Sequence, residues 1–89
     1  MSAARFLVAG RVQGVWFRAA TRERALALRL QGFARNLGDG GVEVVATGEV
    51  AAIDELEQWL WQGPPLAKVS SVERQPLDTG VDFEGFATL

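Results

Sequence analysis

The sequence predicts an α+β sandwich in which one antiparallel sheet carries two helices on one face. Short apolar or alternating segments are typical of strands, and two longer segments place apolar residues at helical spacing. Clusters of glycine and proline separate these segments, which follow one another in the order β-α-β-β-α-β. This order is that of the ferredoxin-like sandwich.

The first strand is expected over residues 6–12, with Phe6, Val8 and Val12 on one face and the intervening residues on the other. Residues 17–30 are strong helix formers and predict the first helix. Its apolar residues at helical spacing are Ala19, Ala20, Leu26, Ala27 and Leu30. We expect Gly32 to stop this helix.

Residues 33–37 and 42–47 predict a hairpin whose turn, residues 38–41, is rich in glycine. The second helix is expected over residues 50–61, and its apolar stripe consists of Ile53, Leu56, Trp59 and Leu60. The prolines that follow Gly63 end it. A fourth strand over residues 67–75 should contain a bulge or form a one-sided edge, because Val69 and Val72 are out of phase. Residues 83–88 add a short fifth strand.

The length of 89 residues predicts a single domain, residues 1–89. A content of 48 % hydrophobic and 22 % charged residues is that of a folded globular protein. The net charge of -2 gives no general attraction to nucleic acid or to an anionic membrane, so any anion site must be local. Apolar runs are too short for a signal peptide or a membrane span, and we expect a cytoplasmic monomer.

The chain contains neither cysteine nor histidine. Thiolate nucleophiles, imidazole bases and typical zinc sites are therefore excluded, and no metal or cofactor is expected. The acidic residues suggest no catalytic pair; a solvated surface position is the better interpretation for Glu43, Glu49, Asp54, Glu55 and Glu57. Any chemistry must rest on positioning, backbone dipoles, arginine and asparagine.

The loop between the first strand and the first helix has the composition of an anion site. It reads Gly10-Arg11-Val12-Gln13-Gly14-Val15-Trp16-Phe17-Arg18. The first N–H groups of a helix have no intrahelical partner and lie at the positive end of its dipole, Gly14 allows close backbone approach, and Arg18 adds a charged donor. On spacing alone, the loop is equally compatible with a plain tight connection.

The predicted topology brings a second polar residue to this loop. The third strand inserts between the first two, which therefore run parallel and end at the same edge of the sheet. Arg18 and Asn36 then share that edge, about 10 Å apart between backbones, within joint reach of one phosphate and one water. On composition alone, Asn36 is also compatible with a simple residue before a turn.

The loop resembles the first signature of the acylphosphatase family, and residues 32–36, Gly-Phe-Ala-Arg-Asn, resemble the second. Residues 39–43 and 63–69 continue in the family's order, so that the resemblance covers nearly the whole chain. The sequence departs from the family at Phe33, where tryptophan is more usual, and in residues 83–89, which lack a basic residue.

The resemblance implies metal-free hydrolysis of acyl phosphates, a small-molecule substrate, to a carboxylate and inorganic phosphate. It implies that Asn36 orients the attacking water and that Arg18 binds the phosphoryl oxygens. The loop N–H groups that would share this binding belong to Val12, Gln13, Gly14, Val15, Trp16 and Phe17.

Two other classes share the predicted strand order. A regulatory or binding domain would hold an anion in the same loop without attacking it. An RNA-binding sandwich should carry exposed aromatic residues on its third strand, and residues 42–46 carry none. The fold cannot separate these classes, so the site must.

Overall fold

The computed structural model describes residues 2–77 and 83–89. Its elements are β1 (Ser2–Arg11), α1 (Phe17–Ala27), β2 (Gln31–Asn36), β3 (Val42–Gly48), α2 (Val50–Gln62), β4 (Lys68–Pro76) and β5 (Phe86–Thr88). They form one sheet in the order β4-β1-β3-β2-β5, and the predicted ferredoxin-like sandwich is confirmed. Every neighbouring pair is antiparallel except β2 and β5, which are parallel.

The strand register places the ends of β1 and β2 side by side. Val42 at the start of β3 pairs with Val8 on one side and with Asn36 on the other. Val8 and Asn36 are therefore two strand spacings apart, about 10 Å. Because β1 and β2 both run antiparallel to β3, the loop after β1 leaves the sheet at the edge where Asn36 lies.

The core lies between the sheet and the two helices. In β1 and β3 the alternate residues Phe6, Val8, Val42 and Val44 are fully or almost fully buried, as the period of a half-covered strand requires. The stripe predicted for α2 contributes Ile53, Leu56 and Leu60 to this core, and Trp59 packs against Phe17 with ring centroids 5.9 Å apart.

The first helix ends at Ala27, three residues before the predicted end at Leu30. Arg29 adopts a left-handed conformation with φ of 59°, and its N–H donates to Leu26 O while the N–H of Leu30 donates to Ala25 O. This pattern is a Schellman motif, which closes the helix before Gly32 is reached. Gly32 instead lies in β2, where a Cβ would come within 1.9 Å of Val45 O.

The buried face of α1 also differs from the predicted one. Leu26 is 42 % exposed and Ala27 is exposed, whereas Phe17, Thr21 and Ala25 are buried. The Thr21 hydroxyl donates to Phe17 O at 2.8 Å, which satisfies a polar group that composition alone would place outside.

The strand ends differ from the predicted ones by a few residues, and the differences are largest in the first and last strands. β1 begins at Ser2 rather than at Phe6, and β5 covers only Phe86–Thr88 rather than residues 83–88. The expected irregularity in β4 is confirmed, because the strand lies at the edge of the sheet and its register shifts opposite Ala9 and Gly10. Ser70 is the extra residue of this bulge.

Glu43 is buried, so the expectation of a solvated carboxylate at this position is wrong. Alternation along β3 turns its side chain to the face opposite Val42 and Val44. There Arg5 Nε and Arg35 Nε donate to its two carboxylate oxygens. The two guanidinium groups come from β1 and β2, the neighbours of β3, and the arrangement joins three strands while it neutralises the buried charge.

Within the described residues, neither helix is long and apolar enough to cross a membrane.

Candidate active site

The loop between β1 and α1 presents the start of a helix without a side-chain cap. Trp16 occupies the N-cap position with φ of 70° and ψ of 22°, and Gly14 also has a positive φ, 75°. Among the described residues, no side chain accepts a capping hydrogen bond from the first turn of α1 at this N-cap. The N–H groups at the helix start are therefore available to an anion.

A cavity of about 350 Å³ lies at this helix start. Its lining includes Arg18 from α1 and Asn36 from the end of β2. The remaining lining residues are Val12, Gly14, Trp16, Phe17, Ala19 and Thr88. The structure thus brings Arg18 and Asn36 to one cavity although they belong to different elements, and the cavity volume is that of a small-ligand site.

Two residues of the loop do not line this cavity. Val15 is buried in the core. The Gln13 side chain points to the β2–β3 hairpin, where its Nε2 lies 2.8 Å from Leu37 O and 2.8 Å from Gly41 O. Since Leu37 follows Asn36, this bridge fixes the loop to the segment that carries Asn36. Sequence reasoning assigned Gln13 a backbone role alone and missed the bridge, which no local pattern signals.

The Arg18 side chain is hydrogen-bonded to a residue 71 positions later in the sequence. Its Nη1 donates to the main-chain oxygen of Leu89 at 2.5 Å, and Arg22 one turn later donates through Nε to Phe86 O at 2.9 Å. Together they attach α1 to β5. Thr88 and Leu89 were not among the predicted site residues, because their position depends on the pairing of β5 with β2, for which the sequence offers no signal.

The electrostatics of the cavity favour an anion. Of its lining residues, all within the described part of the chain, Arg18 alone is charged. The acidic groups that pair with arginine lie outside this lining: Glu43 accepts from Arg5 and Arg35. Asp54 and then Glu57 accept hydrogen bonds from Arg74 and raise its pKa. Over residues 2–77 and 83–89, no three acidic side chains converge as they would at a metal site.

The fold and the cavity define an α+β sandwich whose first helix begins at a positively charged cavity of about 350 Å³. A sequence model of the acylphosphatase family matches residues 4–88. The chain belongs to the acylphosphatase family.

Relatives and solved structures agree with this membership. The chain is 66 % identical over 76 residues to an acylphosphatase from Xanthomonas campestris, a match that covers 85 % of this chain and 86 % of the relative. The structure of an acylphosphatase from Coxiella burnetii superposes with a TM-score of 0.94 at 41 % identity, over 99 % of this chain and 92 % of the other. The crystal structure of the Bacillus subtilis acylphosphatase gives a TM-score of 0.96 at 30 % identity, over 100 % and 99 %. The prediction of an acylphosphatase-type hydrolase is confirmed at the level of the family.

Proposed function

We propose that the protein hydrolyses acyl phosphates to a carboxylate and inorganic phosphate, with Arg18 and Asn36 as its catalytic residues. The observation that carries this proposal is that an arginine, an asparagine and an uncapped helix start line one cavity of about 350 Å³. Membership in the acylphosphatase family supports the reaction class.

The loop and Arg18 bind the phosphoryl group. The N–H groups of the loop donate to its oxygens, and they belong to Val12, Gln13, Gly14, Val15, Trp16 and Phe17. A guanidinium group has five N–H donors, so the bond from Arg18 to Leu89 leaves others for phosphate. Negative charge spreads over the equatorial oxygens in the transition state, where fixed donors stabilise it most.

Asn36 orients the attacking water. Its amide has an acceptor oxygen for a water proton and N–H donors for a phosphoryl oxygen. Water attacks phosphorus in line with the bond that breaks, the new P–O bond forms from the water oxygen, and the electron pair of the old bond leaves with the carboxylate. The proton of the water passes to a phosphate oxygen, since the cavity lining in the described residues includes no carboxylate.

A carboxylate is a good leaving group and needs little help from a general acid. This reaction therefore suits a chain without histidine, in which orientation and charge stabilisation supply the rate enhancement.

The experiment that tests the proposal measures phosphate release from acetyl phosphate in the presence of a chelator. The wild-type protein should turn over, and Arg18→Ala should lower kcat/KM by roughly 10²-fold, as loss of one donor to a transition-state charge does. Arg29→Gly is the matched control, because it removes an arginine of the same charge just after the C-terminal end of α1, outside the cavity lining.

Folding of each variant is verified by circular dichroism. A folded wild-type protein that binds phosphate but releases none from acetyl phosphate or from benzoyl phosphate would contradict the proposal and favour a domain that only binds anions. Equal activity of Arg18→Ala and Arg29→Gly would contradict the role of Arg18.

We also infer that the protein acts as a cytoplasmic monomer without nucleic-acid or membrane partners. The net charge of -2 supports the absence of polyanionic partners. Light scattering after gel filtration, with and without DNA or anionic vesicles, tests this inference.

A further inference from the structure

Trp16 is an exposed aromatic residue at the rim of the anion cavity. It is 72 % exposed, although its backbone is left-handed, a conformation that bulky side chains rarely adopt. Packing in the core does not account for an indole in this position. A second exposed tryptophan, Trp61, is 50 % exposed on α2, outside the lining of the cavity.

The other side of Trp16 borders a second, open groove of about 510 Å³ between the helices and the α2–β4 connection. Apolar residues dominate one part of its lining: Trp16, Ala20, Trp59, Pro64 and Pro65. Glu23, Arg24 and Gln62 supply its polar part. Lining of this kind, mostly apolar with a few polar groups, is typical of small-molecule subsites.

The cavity and the groove are neighbours that share Trp16. Trp16 lines both, and Phe17 of the cavity contacts Trp59 of the groove with ring centroids 5.9 Å apart. The groove is therefore the space that adjoins the cavity on the other side of Trp16. In an acyl phosphate the acyl carbon is attached to phosphorus through one bridging oxygen, so the acyl group must lie immediately beside the bound phosphoryl group.

The lining of the groove, within the described residues, does not include the residue proposed to orient the attacking water. Asn36 lines the cavity but, among the described residues, does not border the groove. An acyl group in the groove leaves the Asn36 side of phosphorus free for the attacking water, as in-line displacement demands.

We propose that this groove is the acyl subsite of the enzyme and that Trp16 makes it selective for acyl phosphates with an aromatic or similarly large apolar acyl group. The inference rests on the proposed function and extends it to the substrate class. The indole stacks on the acyl group, and Ala20 leaves room for it on the side of α1.

The test compares kcat/KM for benzoyl phosphate with kcat/KM for acetyl phosphate in each variant. The ratio of the two cancels effects on phosphoryl binding, which both substrates share. Trp16→Ala should lower the ratio relative to the wild type by about tenfold, mainly through KM for benzoyl phosphate. Ala20→Gln, a change that a helix tolerates, fills the groove without adding charge and should also lower the ratio.

Trp61→Ala is the matched control, since it removes an exposed indole that lines neither the cavity nor the groove. It should leave kcat/KM for both substrates at the wild-type values. Calorimetric titration gives a readout without turnover: benzylphosphonate should bind more tightly than methylphosphonate, and Trp16→Ala should remove most of this difference.

If the ratio of kcat/KM for benzoyl phosphate to kcat/KM for acetyl phosphate stays within about twofold of the wild type in both Trp16→Ala and Ala20→Gln, the acyl subsite is overturned. Turnover of acetyl phosphate would still support the proposed function in that case. If Trp16→Ala does not fold, Ala20→Gln decides the question alone. A folded wild-type protein that hydrolyses neither substrate would overturn the proposed function and the subsite together.

Discussion

At the scale of single residues, the proposed mechanism relies on side chains that bind and orient and that transfer no proton. Arg18 and Asn36 belong to two elements and line one cavity, where we propose that the first binds the phosphoryl group and the second orients water. We expect their substitutions to affect catalysis and phosphate binding differently, because Arg18 is the charged residue of the cavity lining and Asn36 is neutral.

Asn36→Ala should lower kcat by roughly 10²-fold, because water loses its orientation, while the affinity for inorganic phosphate changes little. Asn36→Asp keeps the size of the side chain but places a negative charge beside the bound anion, and should weaken phosphate binding as well. Steady-state kinetics and calorimetric titration with phosphate measure the two effects. If Asn36→Ala lost phosphate binding and turnover to the same degree, Asn36 would be a phosphate ligand rather than the residue that orients water.

Candidate site residues with a local sequence signal could be predicted from the sequence, and residues that depend on distant contacts could not. The glycines around the loop and the start of a helix pointed to Arg18. Leu89 reaches Arg18 from 71 positions away, and Glu43 is buried because two arginines from other strands pair with it. Long-range pairing of this kind leaves no mark in the sequence near either partner.

At the scale of elements, Gln13 connects the anion loop to the β2–β3 hairpin. Gln13→Ala removes two hydrogen bonds that join the loop to the hairpin, while Leu37 O still accepts from the Gly40 N–H and Gly41 O from the Leu37 N–H. We expect a decrease in the free energy of unfolding of about 1–2 kcal/mol and a decrease in kcat/KM, because the loop and Asn36 lose their fixed separation.

Urea denaturation and acetyl phosphate kinetics measure these effects of Gln13→Ala. Gln58→Ala, at an exposed glutamine on α2, is the control and should change neither quantity. A Gln13→Ala protein with lower stability but full activity would show that the bridge is structural and does not position the site.

The end of α1 offers a prediction of the opposite sign. Arg29 holds the left-handed position of a Schellman motif, where glycine is the preferred residue. Arg29→Gly should raise the free energy of unfolding by about 0.5–1 kcal/mol, because glycine adopts a positive φ without the steric strain that a side chain introduces there. Thermal denaturation of this variant beside Arg29→Ala measures the effect, and a lower stability for the glycine variant would contradict it.

The elements themselves were predictable because their signals are local. Periodicity in α2, the glycine-rich hairpin turn and the out-of-phase valines of β4 all appear in the structure at the expected places. The end of α1 could not be predicted in this way, because residues 28–30 retain helix-forming composition. Only the left-handed conformation of Arg29 in the structure shows where the helix ends.

At the scale of the whole molecule, the sheet order creates the site. Insertion of β3 between β1 and β2 makes those strands parallel, and the loop, Asn36 and the end of β5 meet at one edge. The order of elements was enough to predict the shared edge of Arg18 and Asn36. That residues 1–89 form a single domain stays a prediction.

The central claim is that the molecule directs water to phosphorus rather than to the acyl carbon. Hydrolysis of benzoyl phosphate in water labelled with oxygen-18, followed by mass spectrometry of both products, tests this most directly. A cavity that holds the phosphoryl group beside Arg18 and Asn36 predicts that the label enters inorganic phosphate. Label in the carboxylate would show attack at the acyl carbon and would contradict the account.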